Sequence, residues 1–186
     1  HSELSLLRQS GDIDVYVDCG REKAIEYARS IQDEVDWDYK HLHIRMFPDT
    51  EVEMHYRPEV FLNLCKNKKL QKWFEEPKVQ EQIFCKQDEF VAPSVGFNTF
   101  YILLHIYRHF LYEGVGMRQL MDYFFVLRNN EVDEPMRHRA YKTIASFGLA
   151  RFASGLMWIM KDIFGMPENL LLCASDEKEG RYILSE

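Results

Sequence analysis

Arg8-Gln9-Ser10-Gly11-Asp12-Ile13-Asp14-Val15-Tyr16-Val17 sets β-branched and aromatic residues directly behind a Ser-Gly turn, the composition of a buried strand. Side chains alternate across a strand, so Asp12 and Asp14 project from one face and Ile13 from the other. Two carboxylates so close on one strand repel each other unless a cation lies between them. That geometry suits a hard cation such as Mg²⁺, which takes one or two carboxylates plus phosphate oxygens. The same pattern also suits a solvated strand face or a turn, and these residues alone leave both readings open.

Outward from this strand, Asp18-Cys19-Gly20 closes a turn, and Ala24, Ile25, Ala28 and Ile31 recur at the spacing of a helix over 21–35. Two alternating stretches follow. In 40–47, Leu42, Ile44 and Met46 form the inward set, with His41, His43 and Arg45 outward. In 50–56, Val52, Met54 and Tyr56 point inward, with Glu51, Glu53 and His55 outward. Pro48-Asp49 turns the chain between them, so the pair predicts a hairpin. Residues 59–92 read as an uneven helical connector broken at Pro77, and from Pro93 onward the spacing is helical throughout. The helices are expected over 100–112, 117–128, 138–147 and 151–164, with Gly165 and Pro167 ending the last.

The expected architecture is therefore α+β. A small mixed β-sheet half over 1–58 packs on an all-helical C-terminal half over 93–186, through the connector, with the active site in the cleft between the halves. The first strand begins almost at the first residue, so the sheet half is expected to lack an N-terminal helix.

Composition narrows the function classes. A chain of 186 residues amounts to about one domain, or two small ones sharing a core. At 46% hydrophobic and 14% aromatic residues it is globular. A net charge of −7 disfavours nonspecific duplex binding, which needs clustered Lys and Arg. Cys19, Cys65, Cys85 and Cys173 have neither zinc-knuckle nor redox-pair spacing, and free thiols point to a reducing, cytoplasmic setting. The most apolar stretch, 97–112, carries His105, Arg108 and His109, which excludes it as a membrane span.

Glu53 adds weight to the opening motif. A strand–helix–strand–strand order can bring its face beside that of Asp12 and Asp14, although a water-facing hairpin explains Glu51 and Glu53 equally well. Ser10-Gly11-Asp12-Ile13-Asp14-Val15-Tyr16-Val17, with Val52-Glu53-Met54-His55 about forty residues later, resembles the polymerase-beta-like nucleotidyltransferase superfamily. The likeness is closer still to a bacterial family of uncharacterised nucleotidyltransferases with an Arg-x-x-Gly-Asp-Ile-Asp strand and a Val-Glu-hydrophobic-His strand. In that family a helical half follows, seen here from Phe97-Asn98 through His105-x-x-x-His109 to Gly114-Val115-Gly116-Met117-Arg118-Gln119-Leu120-Met121-Asp122-Tyr123. One departure is that the superfamily's phosphate-cradling Gly-Ser element lies well before the first Asp, whereas Ser10-Gly11 lies directly against Asp12.

The resemblance implies an ATP- or other NTP-binding, magnesium-dependent transferase. Asp12, Asp14 and Glu53 are the implied metal ligands and catalytic residues, for one or two Mg²⁺ or Mn²⁺ ions, with Glu53 helping to deprotonate the acceptor hydroxyl. Arg8, Ser10, Gly11 and Arg118 are the implied nucleotide contacts. The partners are a nucleoside triphosphate and a hydroxyl acceptor, a small molecule or a protein, with long nucleic acid disfavoured by charge. A catalytically silent nucleotide- or partner-binding relative and a metal-dependent hydrolase are the alternatives.

Plainer explanations stand beside several of these residues. Arg8 suits a phosphate or a surface carboxylate. Arg118 and Asp122 suit an intrahelical ion pair or a cleft lining. His105 and His109, four apart, suit zinc or a packed helix face.

Overall fold

The computed structural model describes residues 11–87 and 90–185, and the chain divides into two compact units, one ending at Val60 and the other beginning at Phe61. The fold is mixed α+β, with the strands confined to the N-terminal half.

In the first unit, Val52–His55 (β3) is the central strand of a three-stranded sheet. Ile13–Tyr16 (β1) lies parallel to it on one side, and His41–Ile44 (β2) antiparallel on the other. The expected hairpin is therefore β2–β3. Gly20–Arg29 (α1) connects β1 to the hairpin and covers one face of the sheet. Gly20 opens that helix at φ +76°, a left-handed conformation that glycine adopts without strain. Ala24 and Ala28, one helical turn apart and fully buried, pack with Leu42, Ile44, Val52, Met54 and Tyr56. Their methyl side chains let the helix axis come close to the sheet.

Three details depart from the sequence expectations. The helix expected over 21–35 stops at Arg29 because local polar groups capture the chain beyond it. Ser30 Oγ donates to the Tyr27 carbonyl at 2.6 Å. Gln32 ties the following segment to β2, donating to the His43 carbonyl at 3.0 Å and accepting from the Arg45 N–H at 2.9 Å. Second, Ile13 and Val15 are 42% and 39% exposed, since the core forms over β2 and β3. Third, the hairpin face expected to meet water is largely buried, with His41 only 7% and His55 only 2% exposed. Met46, expected to point inward, is 54% exposed because β2 ends at Ile44.

The second unit is mostly helical. Leu64–Phe74 (α2) and Pro77–Ile83 (α3) are separated where Pro77 was expected to break the connector, and proline there begins the new helix. The connector also holds a small antiparallel pair, Cys85–Gln87 (β4) with Phe90–Ala92 (β5), where only helix was expected.

Then come Val95–Tyr112 (α4), Met117–Leu127 (α5), Glu134–Ser146 (α6) and Ala150–Trp158 (α7), which runs into a π-helical turn at Ile159–Ile163. Pro135, expected in a linker, sits in the first turn of α6, where its missing N–H costs nothing. Glu177–Ser185 (α8) is a helix that the sequence reading did not include. No helix among the described residues is long and apolar enough to cross a membrane.

Candidate active site

The strand register assembles the polar face opposite the apolar core. Parallel pairing sets Asp14 of β1 beside Glu53 of β3 and Tyr16 beside His55. Antiparallel pairing sets His43 of β2 beside Glu53 and His41 beside His55. Paired neighbours share a face, so the leucine, isoleucine, valine and methionine positions of both hairpin strands go into the core while these acids and imidazoles gather on the other side.

The carboxylates meet at one atom. His55 Nε2 lies 2.7 Å from Asp14 Oδ1 and 3.1 Å from Glu53 Oε2. His41 Nδ1 approaches the same Glu53 oxygen at 3.2 Å. The His41 ring stands edge-on to His43 and to His55, with centroids 4.9 Å apart in each case. Asp38 fixes the entry to β2, its Oδ1 accepting from the Lys40 and His41 N–H groups at 2.7 and 2.8 Å. Its other oxygen, Oδ2, is 3.9 Å from His41 Nε2. His43, its ring against His41, pairs through Nδ1 with Glu51 at 2.6 Å.

The two buried imidazoles titrate in opposite directions. Burial alone would push both pKa values down, because desolvation penalises the imidazolium. In His41 burial wins over the pull of Glu53 and Asp38, and the pKa falls. In His55 burial is outweighed by hydrogen bonds to both Asp14 and Glu53, and the pKa rises. Burial would likewise raise Glu53, but the His55 hydrogen bond and the His41 charge hold its carboxyl below the ordinary range. His55 thus stands between two acids that favour its protonated form.

The predicted site residues divide as follows. Asp14 and Glu53 are brought together, their side chains 50% and 16% exposed. Asp12 is exposed, two residues before Asp14 and just ahead of β1, and Gly11 precedes it half-buried. Arg8 and Ser10 lie outside the described residues. Arg118 is exposed in the first turn of α5 in the second unit, and Asp122 follows one turn later on the same helix. His105 and His109 face each other through their Nε2 atoms at 3.0 Å, and Glu113 engages His109 Nδ1 at 2.8 Å.

Sequence reasoning gave His41 and His55 to solvent. The signal that could have found them was their period: each alternates in phase with the acids, so whatever lies beside Glu53 also meets these imidazoles. Among the described residues, His41, Glu53 and His55 form a group able to hold a metal ion, with one ligand atom from each within 4.8 Å of the others.

A small mixed sheet with one Asp in a strand, another just ahead of it, and an in-register acid on its parallel neighbour is an arrangement suited to metal-assisted phosphate chemistry. The chain belongs to the family described as uncharacterised nucleotidyltransferase, which matches it over residues 5–165. Membership implies a nucleotide substrate. No curated protein matches the chain, and no solved structure does.

Proposed function

We propose that this protein is a Mg²⁺-dependent nucleotidyltransferase that moves a nucleoside monophosphate from a nucleoside triphosphate to a hydroxyl acceptor and releases pyrophosphate. The observation that carries the reading is the in-register pair Asp14 and Glu53, which converge within 2.7 and 3.1 Å of one point, His55 Nε2. Two carboxylates converging on one point are the donor chemistry that a hard dication requires, and Asp12 adds a third, two residues before Asp14. Family membership supports the nucleotide. In this reading residues 1–58 are the catalytic half.

A divalent ion held there would neutralise the triphosphate and polarise its α-phosphate. The chain's own residues do the rest. Asp12 and Asp14 orient the donor end, with Arg8, Ser10 and Gly11 contributing phosphate contacts. Glu53, held ionised by His55, accepts the proton of the attacking hydroxyl. The new acceptor O–P bond forms as the bond from the α-phosphorus to the bridging oxygen breaks, and that electron pair leaves with pyrophosphate. Positioning and charge neutralisation supply most of the rate in such a transfer.

A thermal-shift scan with the four common triphosphates, with and without Mg²⁺, tests this. A ligand at a hundred times its Kd stabilises by about 2.7 kcal/mol, roughly 5 to 11 °C for a chain of this size. One nucleotide should shift the protein only with Mg²⁺, and Asp14→Asn should abolish the shift with the fold intact. An unfolded Asp14→Asn protein, or no shift with any triphosphate, would defeat the reading. Pyrophosphate release only when an acceptor is present separates transfer from hydrolysis.

A further inference from the structure

The nucleotide chemistry leaves His41 unused and uses His55 only through its contacts to Asp14 and Glu53. His41 is 7% exposed, and its Nδ1 is buried and makes no hydrogen bond of proper geometry although Glu53 Oε2 is 3.2 Å away. His55, 2% exposed, reaches the same oxygen at 3.1 Å. His55 Nε2 hydrogen-bonds that oxygen, whereas the buried His41 Nδ1 beside it is left without a bond, which is unusual for a buried polar atom. The arrangement is an ordinary one for ligands sharing an ion. Donor atoms at about 2.0–2.1 Å from a tetrahedral ion lie roughly 3.3 Å apart, close to both distances.

We infer that His41, Glu53 and His55 form a transition-metal site of the two-histidine, one-carboxylate type, which takes Zn²⁺ or a similar borderline dication in preference to Mg²⁺. Imidazole nitrogen suits zinc and its first-row neighbours, whereas Mg²⁺ demands oxygen. Three protein ligands leave one position open, the pattern of a site that handles a water or substrate oxygen and not of a closed structural site. Outside the ligand set, Asp38 faces the far nitrogen of His41 at 3.9 Å, and two backbone N–H groups fix its carboxylate. A carboxylate hydrogen-bonded behind a ligating histidine orients the ring and strengthens it as a ligand, and Asp38 stands short of that contact at 3.9 Å. The site shares Glu53 with the proposed reaction. Both histidines meet that carboxylate through Oε2, which leaves Oε1 for the nucleotide side. The inference rests on the histidines and not on nucleotide transfer.

The test uses the full chain after chelator treatment, titrated with Zn²⁺ and separately with Mg²⁺, without nucleotide, by calorimetry or competition with a chromophoric chelator. One equivalent of Zn²⁺ should bind at least about 100-fold more tightly than Mg²⁺. His41→Ala and His55→Ala should each weaken Zn²⁺ binding by tenfold or more, and Asp38→Asn by about tenfold. X-ray absorption of the zinc-loaded wild-type protein should report two imidazole nitrogens, which decides the matter even if a histidine variant fails to fold. Asp14→Asn should keep the zinc while losing Mg²⁺-dependent nucleotide binding, so this inference and the proposed function can fail separately. Zn²⁺ no tighter than Mg²⁺, an all-oxygen absorption spectrum, or zinc lost in His105→Ala but not in His41→Ala would each overturn it.

Discussion

His55 and Glu53 stabilise each other over a limited range of pH, and the directions of their shifts define it. His55 is raised in the folded chain, so its contribution is fully present below its usual value of 6.5 and is lost as pH climbs through the higher folded value. Glu53 is lowered, so its contribution is fully present above its usual 4.5 and is lost as pH falls through the lower folded value. Both contributions are complete between 4.5 and 6.5. In metal-free protein, the difference in Tm between wild type and Glu53→Gln should therefore be greatest in that window and shrink on either side. Melts across the acid-to-neutral range check this. A difference that stays flat with pH would show that the imidazole–carboxylate contacts carry no stability.

At the scale of elements, one helix crossing is unusually sensitive. Gly155 in α7 and Gly180 in α8 face each other's helices. A Cβ at Gly180 would lie 2.3 Å from the Trp158 ring, and one at Gly155 would lie 2.8 Å from Glu179 backbone. Glycine ordinarily weakens a helix, so its presence in both helices reflects close contact between their backbones. Gly180→Ala should lower stability by about 1–3 kcal/mol despite its better helix propensity, the usual cost of overpacking. Denaturant unfolding measures it, and an unchanged or raised midpoint would mean that the helices separate at little cost.

The same scale shows what the sequence could convey. The hairpin was legible because alternation in 40–47 and 50–56 left one registration with Leu42, Ile44, Val52 and Met54 on a common face. Glu53 was legible as a partner of Asp14 for the same reason. The burial of His41 and His55 was not, since alternation fixes which face a side chain takes but not whether that face meets water. The end of α1 depended on Gln32 reaching His43 and Arg45, contacts eleven and thirteen residues away that no helical period encodes. Helix α8 is amphipathic, but it is only nine residues long and charged at its start, and it packs through the close approach at Gly180.

Across the whole molecule, the groups that burial shifts differ between the two units, apart from the Tyr56 phenol of the first, which burial also raises. The first holds imidazoles and carboxylates that titrate in the acid-to-neutral range. The second is organised around groups that stay neutral or permanently charged until strongly alkaline pH. Arg137, buried in α6, donates to the carbonyls of Leu127 at 2.7 Å, Val132 at 2.9 Å and Leu170 at 2.5 Å, so one guanidinium joins α5, the turn before α6 and the segment before α8. Tyr123, fully buried in α5, donates to the Thr99 carbonyl of α4 at 2.9 Å, and burial raises its phenol well above the usual range. Burial also pushes the Cys173 thiol from 9.0 up to about 11. For both groups the folded value lies above the unfolded one, so their stabilisation is complete at neutral pH. The Cys173 part begins to be lost above 9.0 and is gone as pH passes about 11. Helical circular dichroism should therefore hold through neutral pH and collapse cooperatively in strong alkali, with Tyr123 ionising only as the helices melt. Tyr123→Phe should move that collapse to higher pH, because it removes the ionisation, while costing about 1 kcal/mol at neutral pH for the lost hydrogen bond. An alkaline transition unchanged in Tyr123→Phe would assign the collapse to other groups and remove the phenol from this account.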